Sequence, residues 1–308
     1  MTLFTKVRVV VAAAGVLAAA SAVEAQQTPV GAPAPLEAHG PAAGEAAAKT
    51  DEKNEAVSAE AATIERGEAE EIVTDRPDFT ESSRVIPRGA FQFESGLTYE
   101  GDTAEGVRAR SLTAPASLMR VGLGGGAELR ISTEGFQSNV AGGFRSTGYS
   151  DVALGVKIRL LDQAKAGIDF AIIPMTTLPT GAEGFTSGHA DPTLKLTWAR
   201  ELGAGWGVNG NVNFASVSDE EGRFTQRAIS ASFGHGLPAG WEGFAEVYSF
   251  TPMERGAASG VTLDWGVARQ IGHDFHFDVA AGRGLTAAAP DWFVGVGFAV
   301  RGRMSSWR

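Results

Sequence analysis

From Phe91 onward, apolar residues recur at every second position in stretches of about nine to twelve residues, each bounded by Gly, Asp, Pro or Ser. A period of two belongs to a strand whose two faces meet different surroundings. Twelve such stretches stand out, at 91–99, 110–121, 127–136, 151–160, 167–176, 191–200, 206–215, 225–234, 241–250, 261–269, 275–283 and 292–301. In the first, Phe91, Phe93, Leu97 and Tyr99 oppose Gln92, Glu94, Gly96 and Thr98; in the seventh, Trp206, Val208, Val212 and Phe214 oppose Asn209, Asn211 and Asn213. The links between stretches take turns, roughly eight to fourteen residues after odd-numbered ones and about five or six after even-numbered ones. One apolar face, one polar face and alternating long and short links predict an all-β fold, a transmembrane antiparallel up-and-down β-barrel of about twelve strands.

Aromatic placement agrees in part. With both termini on the periplasmic side, Trp198, Trp206, Trp241 and Phe275 fall at the inner rim and Tyr99, Phe214 and Trp292 at the outer, as interfacial girdles require. Phe244, Tyr248 and Phe250 share the parity of Glu246 and point inward unless a bulge flips them. Pro115 and Pro174 cannot donate to a ladder, so each marks a bulge, a rim or a break, and a kink at Pro115 would give apolar solutes a lateral exit.

The chain starts with Lys6 and Arg8, an apolar run from Val9 to Ala20, and Val23-Glu24-Ala25, the signature of a Sec signal peptide cleaved after residue 25. No other segment approaches eighteen uninterrupted apolar residues, which excludes an inner-membrane helical protein. Residues 26–74 read as an acidic Ala/Pro/Glu-rich periplasmic spacer, with Ala42 to Glu71 rich in helix formers but without a core face. Gln26 to Asp75 carries eleven acids against three bases, whereas Arg76 onward is near balance at 24 to 21. That balance gives no electrostatic reason to expect nucleic acid. With no cysteine, disulfides and thiol chemistry are excluded. Residues 75–308 are then the barrel with a short entry segment.

From Thr74-Asp75-Arg76-Pro77-Asp78-Phe79-Thr80-Glu81 the chain resembles the family of outer-membrane transporters assigned to the meta-cleavage pathway of phenol degradation. The resemblance continues through Gln92-Phe93-Glu94-Ser95-Gly96, Glu128-Leu129-Arg130, Gly155-Val156-Lys157, Leu178-Pro179-Thr180-Gly181 and Gly282-Arg283-Gly284-Leu285, to Gly295-Val296-Gly297-Phe298. It implies a barrel and a transport role, and little about substrate. The acidic spacer and the ending Trp307-Arg308 depart from the pattern, and the second bears on how the barrel-assembly machinery inserts the chain.

The inward face holds both signs of charge: Glu94, Glu128, Arg130, Asp151, Lys157, Arg159, Lys195, Glu246, Asp264, His276, Asp278 and Arg301. Glu128 and Arg130 share a face, with Glu94 placed across the wall from them. In a lumen of reduced dielectric such groups persist only when paired or hydrated, so they form a structural ladder with some lining a path. Inward Gly96, Gly155, Gly207, Gly266, Gly282, Gly295 and Gly297 either open the lumen or relieve strain in a curved sheet. His276 and Asp278 share a face that Asp264 could join, and Ser187-Gly188-His189 lies in a loop. Neither has a second converging motif, so no metal, cofactor or catalytic site is expected.

Twelve strands leave a narrow lumen. The expectation is an outer-membrane channel for passive passage of small aromatic or hydrophobic solutes, with outer-membrane lipid as its surroundings. The rivals are a barrel hydrolase acting on lipid and a plugged structural barrel. Whether Asp75 to Glu81 enters the barrel is left open.

Overall fold

The computed structural model describes residues 71–304 apart from 105 and 253. The signal peptide (1–25) and most of the spacer (26–74) lie outside the described residues. Among those described, fourteen ladder segments follow in chain order: β1 (Ala90–Ala104), β2 (Val107–Gly124), β3 (Ala127–Thr133), β4 (Phe136–Ala141), β5 (Phe144–Tyr149), β6 (Val152–Leu161), β7 (Asp169–Leu178), β8 (Pro192–Gly203), β9 (Trp206–Asp219), β10 (Gly222–Leu237), β11 (Trp241–Thr251), β12 (Gly260–Ile271), β13 (Phe275–Gly284) and β14 (Trp292–Arg303). Each pairs antiparallel with its neighbours, and β1 pairs with both β2 and β14, so the sheet closes on itself. Closure leaves no unpaired edge, which hydrocarbon would not tolerate.

Fourteen segments make twelve wall strands. β3 and β4 both lie along β2, one after the other, and are a single strand interrupted at Glu134-Gly135; β5 and β6 likewise follow one another, along β4 and β3. The outward set is apolar and open to its surroundings, as at Ile131, Leu154, Trp265, Val294 and Phe298. The inward set is polar and buried, as at Gln92, Glu94, Lys157, Asn211 and Asn213.

The long links are only partly loops. β1 and β2, β4 and β5, and β9 and β10 are each separated by two residues, so what alternation marked as loop continues as paired strand. The cause is composition: Ser, Thr and charged residues in these extensions break the apolar pattern without breaking the ladder. True loops remain at 179–191, 252–259 and 285–291.

Pro115 marks a break. The β1–β2 register shifts between Gly96 and Thr98, and on the other side Pro115 and Ala116 face the gap between β3 and β4. One residue of slip reverses parity: below the break Arg120 points inward, while above it Thr113 does, opposite Thr98. At Pro174, β6 and β7 keep one register but no pair is formed between Gly155↔Met175 and Ile158↔Ile172.

Candidate functional site

Residues 71–89 form no strand. Pro77 and Pro87 lack amide donors, and the acids Asp75, Asp78 and Glu81 recur every third residue among polar groups, a composition that suits a charged cavity better than a sheet edge. The segment runs inside the barrel, entering beside the turn end, where the Ile72 N–H donates to the His273 carbonyl at 3.1 Å.

One side of the segment is held by cations. The Asp75 carboxylate meets Arg130 at 2.5 Å, Lys157 at 3.0 Å and Arg120 at 3.7 Å. Glu81 meets Lys195 at 2.8 Å and Arg130 at 3.1 Å. Lys157 also donates to the Ser82 carbonyl at 2.6 Å, and Arg120 to the carbonyls of Val73 and Arg84 at 2.9 and 3.0 Å. Behind these, Arg120 pairs with Glu128 at 2.8 Å and Glu94 at 3.1 Å, while Arg130 pairs with Glu128 at 2.9 Å. All but the partly exposed Glu81 are buried, so the network survives only because each charge has a counter-charge and further hydrogen bonds. Burial alone would raise the Asp75 and Glu81 carboxyls. The cations outweigh it, Arg120, Lys157 and Arg130 holding Asp75 well below the carboxylate range and Lys195 and Arg130 lowering Glu81.

The opposite side is different. Arg76 pairs with Asp278 at 3.1 Å. Glu246 accepts hydrogen bonds from the N–H of Phe79 at 2.6 Å and of Thr80 at 2.9 Å, and from the Thr80 hydroxyl. Phe79 stacks on Tyr248 at 4.8 Å and meets Phe250 edge-on at 5.1 Å. Asp78 faces Glu246, Glu242 and Asp264, and its carboxyl is pushed well above its ordinary value, first by burial and then by Glu246.

These contacts place the twelve lumen candidates. Glu94, Glu128, Arg130, Lys157, Lys195, Glu246 and Asp278 all touch residues 71–89 or the network that holds it. Glu94 reaches Glu128 and Arg130 along the wall through Arg120, on three adjacent strands. Three candidates sit at rims. Asp151 accepts from the N–H of Thr180 and Gly181 and from the Thr186 hydroxyl, pinning the 179–191 loop; Arg159 pairs with Asp162 at 3.2 Å beside the short helix α1 (Gln163–Ala166); Arg301 pairs with Asp274 at 2.8 Å. Asp264 is buried opposite Glu246, and His276 is buried with its Nδ1 unpartnered. Asp264 pairs with Gly282, four residues along β13 from Asp278, and Asp278 is engaged by Arg76.

Phe244, Tyr248 and Phe250 do point inward, since β11 keeps an unbroken register on both flanks. Two of them receive Phe79. Gly96 and Gly297 make room for Arg76, whose guanidinium occupies the space a Cβ at either would take; at Gly266 and Gly282 the rings of Phe244 and Phe293 fold over the strand. Ser187 Oγ bonds the backbone of His189 at 3.2 Å, and among the described residues no histidine ring bonds a serine. Alternation had no means of showing Asp75, Arg76, Glu81 or Arg120, the first three because they lie before the first strand and the last because it follows the Pro115 slip.

The family described as "Putative MetA-pathway of phenol degradation" matches residues 74–302. The chain belongs to this family. The match starts at Thr74, so the inserted segment is part of the family unit along with the barrel. Among solved structures, the COG4313 outer membrane channel from Pseudomonas putida F1 aligns with a TM-score of 0.56 at 13% identity, covering 73% of this chain and 100% of that one. The NanC porin and the KdgM porin align at 0.45 and 0.42, with 8% and 10% identity, each covering 68% of this chain and 98% of theirs. The first of these likenesses, at so low an identity, speaks to the fold alone, a closed outer-membrane-type barrel. No match is found among curated proteins.

Proposed function

We propose that the protein is an outer-membrane channel for passive passage of small aromatic or hydrophobic solutes, exported through a Sec signal, with the chain ends and short turns of the barrel in the periplasm. The COG4313 fold likeness and the family membership support a channel. The observation that carries the solute class is the occupied lumen. Residues 71–89 are held across it by buried ion pairs, with Arg120, Lys157, Glu94 and Glu128 showing no exposure, so the polar axial route is narrow. The wall is broken at Pro115, where the ladder is interrupted on both sides. An apolar solute entering from the outer end leaves the barrel there into the membrane and needs no aqueous path.

Ser95 and Ser117 face each other below the break, their hydroxyls 3.2 Å apart. In a chain without cysteine, Ser95→Cys with Ser117→Cys places a reversible staple across β1 and β2. Uptake of a labelled phenol by cells with an intact lipopolysaccharide layer should fall several-fold when the staple is oxidised and recover with reductant. Uptake indifferent to the staple removes the lateral route. In planar bilayers, ion conductance of the wild type itself supports an axial path as well; a barrel that passes neither ions nor phenol is a plugged structural barrel.

A further inference from the structure

On the outer surface of the barrel, β11 presents its two smallest outward residues, Gly243 and Ala245, one after the other. Phe233 and His235 of β10 flank them on one side, and Trp265 and Val267 of β12 on the other. The result is a furrow of about 530 Å³. Its walls are open to the surroundings, Phe233 by 55% and Trp265 by 47%. His235 is fixed as a wall, its ring stacked on Trp206 at 4.2 Å and its Nδ1 3.1 Å from the Gly205 carbonyl.

The fold does not demand this depression. Gly243 is not among the glycines at positive φ, and a Cβ added there would meet Leu237 at 3.6 Å and the Gly266 carbonyl at 3.9 Å, ordinary contact distances. A larger side chain would fit and would fill the furrow.

The end nearest the turn carries a cation. One pair further along, Trp241 faces Arg269, whose guanidinium lies over the indole ring at 5.2 Å. A guanidinium on a ring face still offers its N–H edge to an in-plane oxyanion. Within a bilayer an apolar furrow gains nothing by merely being apolar, because lipid tails are as apolar as its walls. What selects an occupant is shape along the furrow and charge at its end.

We infer that this furrow binds a membrane glycerophospholipid, one acyl chain lying over Gly243 and Ala245 and the phosphate meeting Arg269. The assignment rests on the outer-membrane reading above, which places this end of the barrel in the phospholipid leaflet. At roughly 30 Å³ for a water-sized group, the furrow's volume is on the order of a dozen or more methylenes, comparable with that of one acyl chain.

The test is native mass spectrometry of the purified barrel, delipidated in detergent and titrated with phosphatidylethanolamine or phosphatidylglycerol. The wild type should hold one phospholipid at concentrations where Gly243→Leu holds at least fivefold less, with Gly243→Ala between them, and Arg269→Gln should weaken binding about tenfold. A mobility shift between unboiled and boiled protein in detergent gels, the same as in the wild type, confirms that each variant is folded. Equal occupancy in wild type, Gly243→Leu and Arg269→Gln overturns the assignment. So does a wild-type dimer that Gly243→Leu converts to monomer, since the furrow is then a seat for a second copy. The readout needs no conductance, so a barrel that passes no solute still shows whether the furrow holds lipid.

Discussion

The Asp75 carboxylate lies 3.0 Å from the Lys157 ammonium, both fully inside the barrel and 82 residues apart in the chain. This pair, with Arg130 at 2.5 Å, ties the inserted segment to the wall. Asp75→Asn leaves three buried cations short of an anion, and breaking a buried pair from one side costs about 3–5 kcal/mol. That is enough to shift the segment toward release without unfolding a closed sheet. Planar-bilayer recordings should show higher and noisier conductance than wild type, and proteolysis within residues 71–89 should accelerate.

The two sides of the segment respond to pH in opposite senses. Asp75 is depressed, so its contribution to docking is present above the free carboxylate value of about 3.9 and is lost only as pH falls through its lower docked value. Asp78 is raised by burial and Glu246. Its docked form holds a proton more readily than its free form, so docking is unpenalised below about 3.9 and weakens as pH climbs toward the raised docked value. Between those limits conductance should rise with pH, and Asp78→Asn should flatten the profile. A profile unchanged by Asp78→Asn would assign the dependence elsewhere.

Phe79 makes two ring contacts, with Tyr248 and Phe250, each worth about 0.5–1.5 kcal/mol beyond area. Phe79→Ala should loosen the same side of the segment that rising pH loosens, raising conductance at neutral pH while the unboiled barrel keeps its gel mobility. Phe79→Tyr keeps the ring contacts and should behave as wild type.

Gly297 and Gly295 are two residues apart on one inward face and should differ. A Cβ at Gly297 takes the place of the Arg76 guanidinium, whereas one at Gly295 meets the Leu97 carbonyl at 3.5 Å, an ordinary contact. Gly297→Ala should displace Arg76, strand the buried Asp278 and raise conductance; Gly295→Ala should leave it near wild type. Equal behaviour would mean that Arg76 is not seated between the first and last strands.

Much of the wall is legible in the sequence because each strand reports its own faces. Val152 to Leu160 or Trp292 to Val300 needs no partner to show which side is apolar, and the first slips only at its very end, at Leu160, the second not at all. The reading fails where a property depends on residues far away. Arg76 and Asp278 meet across 202 positions, and nothing local in either tells of the other. It fails also where one residue resets the phase, as at Pro115, beyond which the second stretch has the opposite parity. The sequence does hold one sign of the inserted segment. Tyr248 and Phe250 point into a lumen lined largely by polar and charged groups, and aromatic rings so placed await an apolar partner, which Phe79 supplies.

Arg76 rests on Gly96 and Gly297, residues that are partners of each other where the first strand meets the last. Among the described residues, that junction alone joins wall strands distant in the chain, and it forms when synthesis of the barrel is complete. Whatever draws the two ends together does so around a side chain translated twenty residues before Gly96. The stopper is therefore seated as the hoop is fastened, and a barrel assembled without it is fastened over an empty notch.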